Sequence, residues 1–192
     1  MSSYYYILAS LPHLEFESDY IPDPADFLDL CRLFLSESDM RIVESATLHP
    51  HAEAPAETAP ETAAVPLLEK FRHWEIGLRN ELAKQRSQIL NREAAIRLND
   101  DGSDCTAVSG LADSVKLIMQ SATPLEADIG LDRLRWQYLN ELGSGHYFNV
   151  QQLIVYYLRL RIRIRRDRLT ADSGIAAYNE QMNGVRNEKS YG

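Results

Sequence analysis

The sequence predicts an almost wholly α-helical protein, a multi-helix bundle with one long helix. Three observations predict it. Apolar residues recur at helical spacing over most of the chain. Gly and Pro are sparse, with 9 and 8 in 192 residues, so long stretches carry no breaker. Several of those stretches open on a capping side chain followed by Pro or an acid. The length of 192 residues allows one substantial core or two small packed lobes, and a hydrophobic share of 45% is ordinary for a globular protein.

The Tyr-rich opening, Tyr4 to Leu11, is apolar and stops at Pro12. It is too short for periodicity to separate helix from strand. Asp23 followed by Pro24 predicts a helix start, with Phe27, Leu30, Cys31 and Phe34 on its apolar face. Ser36, with Asp39 three residues on, predicts a second short helix through Ile42, Val43 and Ala46. Residues 48–65 are rich in Ala, Pro, Glu and Thr and lack the apolar surface that would offset their ordering entropy, which predicts a mobile linker. His49 and His51 at its start have no third ligand nearby, so solvated loop histidines are expected there. The organisation expected is an N-terminal helical segment over 1–47, this linker, and a helical domain over 66–192 that forms one unit with the first.

Pro66 opens the longest helix, expected to run to about Leu98. Phe71, Trp74, Leu78, Leu82 and Ile89 form its stripe, with the pairs Glu75/Arg79 and Glu81/Gln85 on the outside. Residues 109–121 predict an amphipathic helix through Leu111, Val115, Ile118 and Met119. Thr123, Pro124 and Glu126 form a capping box for the next, which carries Leu131, Leu134, Trp136, Tyr138, Leu139 and Leu142 and closes at Gly143 and Gly145. Asn149 caps a final helix with Val150, Leu153, Ile154, Tyr157 and Leu158 on one face. Residues 159–166 alternate arginine and aliphatic, a strand signal by itself, but no breaker separates them from the helix before, so they are read as its continuation. The last twenty or so residues are weakly amphipathic and expected to fray.

Charge is unevenly placed. Residues 1–64 hold twelve acids against Arg32 and Arg41, a balance of −10, within an overall −8. Residues 159–168 hold six arginines and Asp167. Such polarity predicts assembly with charged partners. Three uses of the arginine ladder compete: a phosphate stripe, an anionic-lipid contact, and a protein contact with an acidic partner or with the acidic third of this chain. The net negative charge argues against nucleic acid. A plainer use is that half of these side chains lie over an apolar face. The expected partner-contact residues are Arg159, Arg161, Arg163, Arg165 and Arg166, with Tyr4 and Tyr5 as aromatic anchors.

The residues predict no catalytic centre, cofactor or metal. There is no phosphate loop, no nucleophile elbow and no Cys–His arrangement. Glu126, Asp128 and Asp132 cluster at a helix start, where acids complement the helix dipole without a metal. Cys31 and Cys105 are expected to be reduced thiols. No secretory signal or apolar run of ~18 residues is visible, so any membrane association is expected to be peripheral.

Two stretches carry a resemblance. One is Pro124, Leu125, Glu126 and Ala127, then Leu131, Asp132, Arg133, Trp136, Tyr138 and Leu139. The other is His146 to Val150, Leu153, Ile154 and the run Leu158, Arg159, Leu160, Arg161. Together they resemble a helix pair of the C-type (also called d-type) subunit of V/A-type rotary ATPases, and the opening Tyr4 to Pro12 is similar to that family's Tyr-rich start. More closely, the two ends of the chain resemble a bacterial family of unassigned function encoded among V-type ATPase genes. The chain is much shorter than the C-type subunit, with one helix pair where the larger protein has three repeats.

The resemblance implies a lobe of the C-type fold and a non-catalytic central-stalk adaptor between the shaft and the membrane rotor ring, serving proton or sodium transport. The implied partners are those two assemblies, and the implied place is cytoplasmic, peripheral to the inner membrane. Other readings are a helical scaffold or assembly factor, and an arginine-stripe nucleic-acid binder.

Overall fold

A computed structural model describes residues 3–48, 66–89 and 110–169. Seven helices and no strand occur among them. They are α1 (Ser3–Ser10), α2 (Pro24–Phe34), α3 (Glu37–Ser45), α4 (Pro66–Ile89), α5 (Leu111–Ile118), α6 (Pro124–Gly143) and α7 (Val150–Arg168). The Tyr-rich opening is therefore a helix. The linker at 49–65, His49, His51, Cys105, the expected end of α4 near Leu98 and the final twenty residues lie outside the described residues. Leu48, expected to begin the linker, is instead buried in the core.

The caps are those the sequence predicts. Asp23 accepts from the Ala25 N–H at 2.8 Å, and Ser36 Oγ accepts from the Asp39 N–H at 3.2 Å. Thr123 and Glu126 close a reciprocal capping box at α6, and Asn149 Oδ1 accepts from the Gln152 N–H at 3.1 Å at α7. Each satisfies a backbone donor that the first helical turn leaves without a carbonyl. Gly145 follows α6 at φ +84°, the left-handed backbone that turns the chain from α6 to α7. Gly143 permits a close approach of the two helices: a Cβ there would lie 3.2 Å from Gln152 Oε1 and 3.3 Å from Val155 Cγ1.

Helix α7 is the centre of the molecule. It packs along α6 and also against α2 and α3, while α4 packs on α5 and α6. Leu153, Ile154, Val155, Tyr157, Leu158, Leu160 and Ile162 are buried on several sides of it, as expected of a helix surrounded by others. The alternating 159–166 segment is helical because α6 covers one side and the N-terminal helices another. Phe27 of α2 stacks on both Tyr156 and Tyr157, with ring centroids 5.4 Å apart in each pair. Cys31, on the same buried face, has its thiol pKa pushed up by burial to about 11.

Three expectations need correction. Phe34 and Ile89, placed on apolar stripes by spacing, are exposed. Phe34 ends α2, where Leu35 takes the chain out of the helix, and Ile89 is the last described residue of α4. Glu75, placed on the outside of α4, is fully buried. Its bond to Arg79 exists at 3.2 Å, but the carboxylate faces inward. Glu81 bonds Lys84, in place of the expected Gln85.

Candidate interaction surface

The arginine ladder reaches across the protein from α7. Arg161 Nη1 donates to the Ala46 carbonyl at 3.0 Å, at the C-terminal end of α3, where an unpaired carbonyl and the helix dipole both favour a cation. Arg163 donates to the carbonyls of Phe16 and Ser18, and Arg166 to that of Phe16. These acceptors belong to the irregular segment 11–23, whose backbone has no ladder or helix to satisfy it. The same segment is held by Tyr156, which donates to the Pro12 carbonyl at 3.0 Å, and by an Arg133–Glu17 ion pair. Phe16 lies edge-on to Trp136 at 5.5 Å and beneath the Arg166 guanidinium at 4.0 Å. Arg159 lies over Trp136 at 5.5 Å, and burial lowers its pKa.

The fifth ladder residue, Arg165, bonds Asp128 at 2.7 Å and also Asp132. Asp132 is fully buried and its other oxygen accepts from Arg135 Nη1 at 3.0 Å. Arg135 in turn grips Glu75 through two bonds, Nε at 3.0 Å and Nη2 at 2.9 Å, the bidentate geometry a guanidinium favours. Arg79 completes the chain at Glu75. Three carboxylates and three guanidiniums alternate from α4 through α6 to α7. Burial works against the charge on Arg135, but Glu75 and Asp132 overcome it and hold its pKa above the usual arginine value. Burial pushes the Asp132 pKa upward against the pull of Arg165 and Arg135. Asp128 and Asp132, expected to act on a helix dipole, are thus the partners of Arg165. A cleft of about 280 Å³ lies alongside, lined in part by Asp128, Arg163, Arg166 and Asp167, so its lining carries both signs of charge.

Four of the five expected contact arginines are therefore hydrogen-bonded within the chain, and Arg163 is buried. Arg159, Arg161 and Arg166 are partly covered as well. Of the two expected tyrosine anchors, Tyr4 turns inward. Its hydroxyl donates to Asp39 Oδ2 at 2.7 Å, and burial with that carboxylate raises its pKa to about 12. Tyr5 turns outward and lies against Phe148. Sequence reasoning missed Glu75 and Arg135, although a signal was available. Glu75 lies four residues after Phe71, three before Leu78 and seven before Leu82, in the middle of the apolar stripe.

Compared with protein-family models, curated proteins and solved structures, the chain gives no match.

Proposed function

We propose that this chain is a non-catalytic component of a V/A-type rotary ATPase, an adaptor of the C/d type joining the central shaft to the membrane rotor ring. The observation that carries the proposal is the α6–α7 pair. The residues that carry the resemblance, within 124–161, fall almost wholly on these two helices and the turn between them. The two helices run antiparallel: Gly143 faces Val155, Trp136 faces Arg159, and Asp132 faces Arg165. An adaptor that transmits torque has to resist shear between its helices. The alternating charges joining α4, α6 and α7 suit that task, because sliding any one helix would unpair buried ions.

In this reading the protein carries load and performs no chemistry. It is cytoplasmic and reaches the membrane through its partners. No described helix is long and apolar enough to cross a membrane, which is compatible with that position. The test is affinity purification of the tagged full chain from detergent-solubilised native membranes. Rotor-ring and shaft proteins should be recovered together with it. Recovery of neither would overturn the proposal, and recovery only with partly assembled complexes would make the protein an assembly factor. The nucleic-acid reading loses support from the structure, since most of the ladder's guanidinium heads already serve acceptors inside the chain.

A further inference from the structure

We infer that the rings of Phe34, Tyr6, Tyr5 and Phe148 form a docking surface for a basic amphipathic helix of a partner protein. Tyr6 and Phe34 have centroids 4.8 Å apart, and Tyr5 and Phe148 4.9 Å apart. Tyr5 and Tyr6 are consecutive residues of α1, so both ring pairs rest on that one helix. Three separate elements supply the rings: α1, the end of α2, and the turn between α6 and α7. The rings are 39%, 56%, 50% and 53% exposed in the order named, and Tyr147 beside them is 73% exposed. Single exposed apolar residues need no explanation, but exposed rings that pair across separate elements gather apolar surface of the kind interaction sites use. Tyrosine and phenylalanine add large contact area at small entropic cost.

The platform is fixed before any partner arrives. Ile7 anchors α1 from below, fully buried, and the Tyr4 hydroxyl ties α1 to Asp39 of α3. The described residues contain no strand, so an added β-strand would find no open sheet edge to pair with. A helix laying an apolar face on the rings fits what is present.

Charge selects the occupant. Helices α1, α2 and α3, which supply three of the four rings, carry five carboxylates, Asp26, Asp29, Glu37, Asp39 and Glu44, against Arg32 and Arg41, a balance of −3. Arg32 is already bonded to Asp29 and Glu44, each at 2.8 Å, and Arg41 lies 3.8 Å from Glu37. Of the α7 arginines, Arg163 and Arg166 bond carbonyls of segment 11–23, Arg161 bonds the Ala46 carbonyl, and Arg165 bonds the acids of α6. A partner with Lys and Arg flanking its apolar anchors is attracted to such a surface. A second copy of this chain would bring the same acids against it, and an anionic membrane would be repelled in the same way. The inference goes beyond the rotary-ATPase proposal and stands on the geometry and charge of the N-terminal helices.

The test uses the full chain and a synthetic amphipathic peptide of about 18 residues, the length of a five-turn helix, with Leu and Trp on one face and Lys and Arg beside them. A twin peptide has every Lys and Arg replaced by Glu. Fluorescence anisotropy should show the basic peptide binding about tenfold or more tightly than its twin, with affinity falling as salt rises. Tyr6→Ser combined with Phe148→Ser should weaken it about tenfold again while the helical circular dichroism stays unchanged. Glu37→Lys, a change on an exposed side chain, should weaken it by a smaller factor and supplies the test if the double variant does not fold. Leu117→Ser, at an exposed apolar residue of α5, should leave binding as it was. Equal binding of the two peptides would overturn the inference, and so would an unchanged affinity in the ring variants. It is also overturned by a dimer in sedimentation that the ring variants dissolve, or by ring-dependent binding to phosphatidylserine vesicles.

Discussion

The junction of α4, α6 and α7 and the outer face of α1 reverse the usual placement of side chains in opposite ways. At the junction, Glu75, Asp132 and Arg135 are charged and buried. On α1, Tyr5 and Tyr6 are aromatic and exposed, and they meet Phe148 and the less exposed Phe34. The two departures differ in whether the protein resolves them internally. Every buried charge at the junction finds an opposite charge within hydrogen-bonding distance, so the cost of its desolvation is offset inside the fold. The rings meet in two pairs and keep between 39% and 56% of their surface in water. The first arrangement therefore has a structural explanation, and the second is best explained by a partner.

This contrast makes the junction fragile and the strip expendable for folding. The largest expected effect is at Arg135. Arg135→Met leaves Glu75 and Asp132 buried with their main cation gone, and urea unfolding should show a loss of about 3–5 kcal/mol. Glu75→Met together with Arg135→Met should cost less than Arg135→Met alone, because it also removes the buried carboxylate that the single variant strips of its bidentate partner. A double variant at least as unstable as the single one would break the account of the junction as mutual compensation.

The next effect is an alkaline one in the α2 layer. The Cys31 thiol ionises near its ordinary 9.0 when unfolded and near 11 when folded. The unfolded chain thus loses its proton first. Stability contributed by the buried neutral thiol is fully present below pH 9 and falls as pH rises through 11, by up to about 3 kcal/mol in all. Urea midpoints across that window should fall more steeply in the wild type than in Cys31→Ala. Site-resolved iodoacetamide labelling in native buffer should spare Cys31.

Smaller again is the cap of α6. Thr123→Ala removes the acceptor for the Glu126 N–H and should cost about 1 kcal/mol by thermal unfolding. The smallest effect belongs to the strip. Tyr6→Ser should change stability by no more than about 0.5 kcal/mol. A cost there comparable with that at Arg135 would mean that the rings hold the fold together, and the contrast between the two regions would disappear.

The local features were legible because their causes are local. The caps at Asp23, Ser36, Thr123 and Asn149 act over two or three residues, and a side-chain oxygen beside unpaired N–H groups has the same meaning in any fold. Helical spacing likewise located the buried faces of α4, α6 and α7. It failed at Phe34 and Ile89, because periodicity says which residues share a face and cannot say which of them the fold covers.

The arginine ladder shows the same limit from the opposite side. Its composition announced a cationic element, and an internal use over an apolar face or against the acidic third of the chain was among the readings. Which acceptors it serves depends on Phe16, Ser18 and Ala46, more than a hundred residues away in sequence.

The sequence by itself determined the helical class of the described residues outside α1, most of their helix starts and the polar distribution of charge. These follow from backbone hydrogen bonding and from composition, both of which act within a few residues. Only the tertiary structure decided that Glu75 faces inward, that the arginines clamp segment 11–23, and that four rings from three elements pair on the outside. A buried charge is tolerable only where its counter-charge is held. The counter-charge for Glu75 sits on Arg135, sixty residues further along and brought close by the packing of α4 on α6.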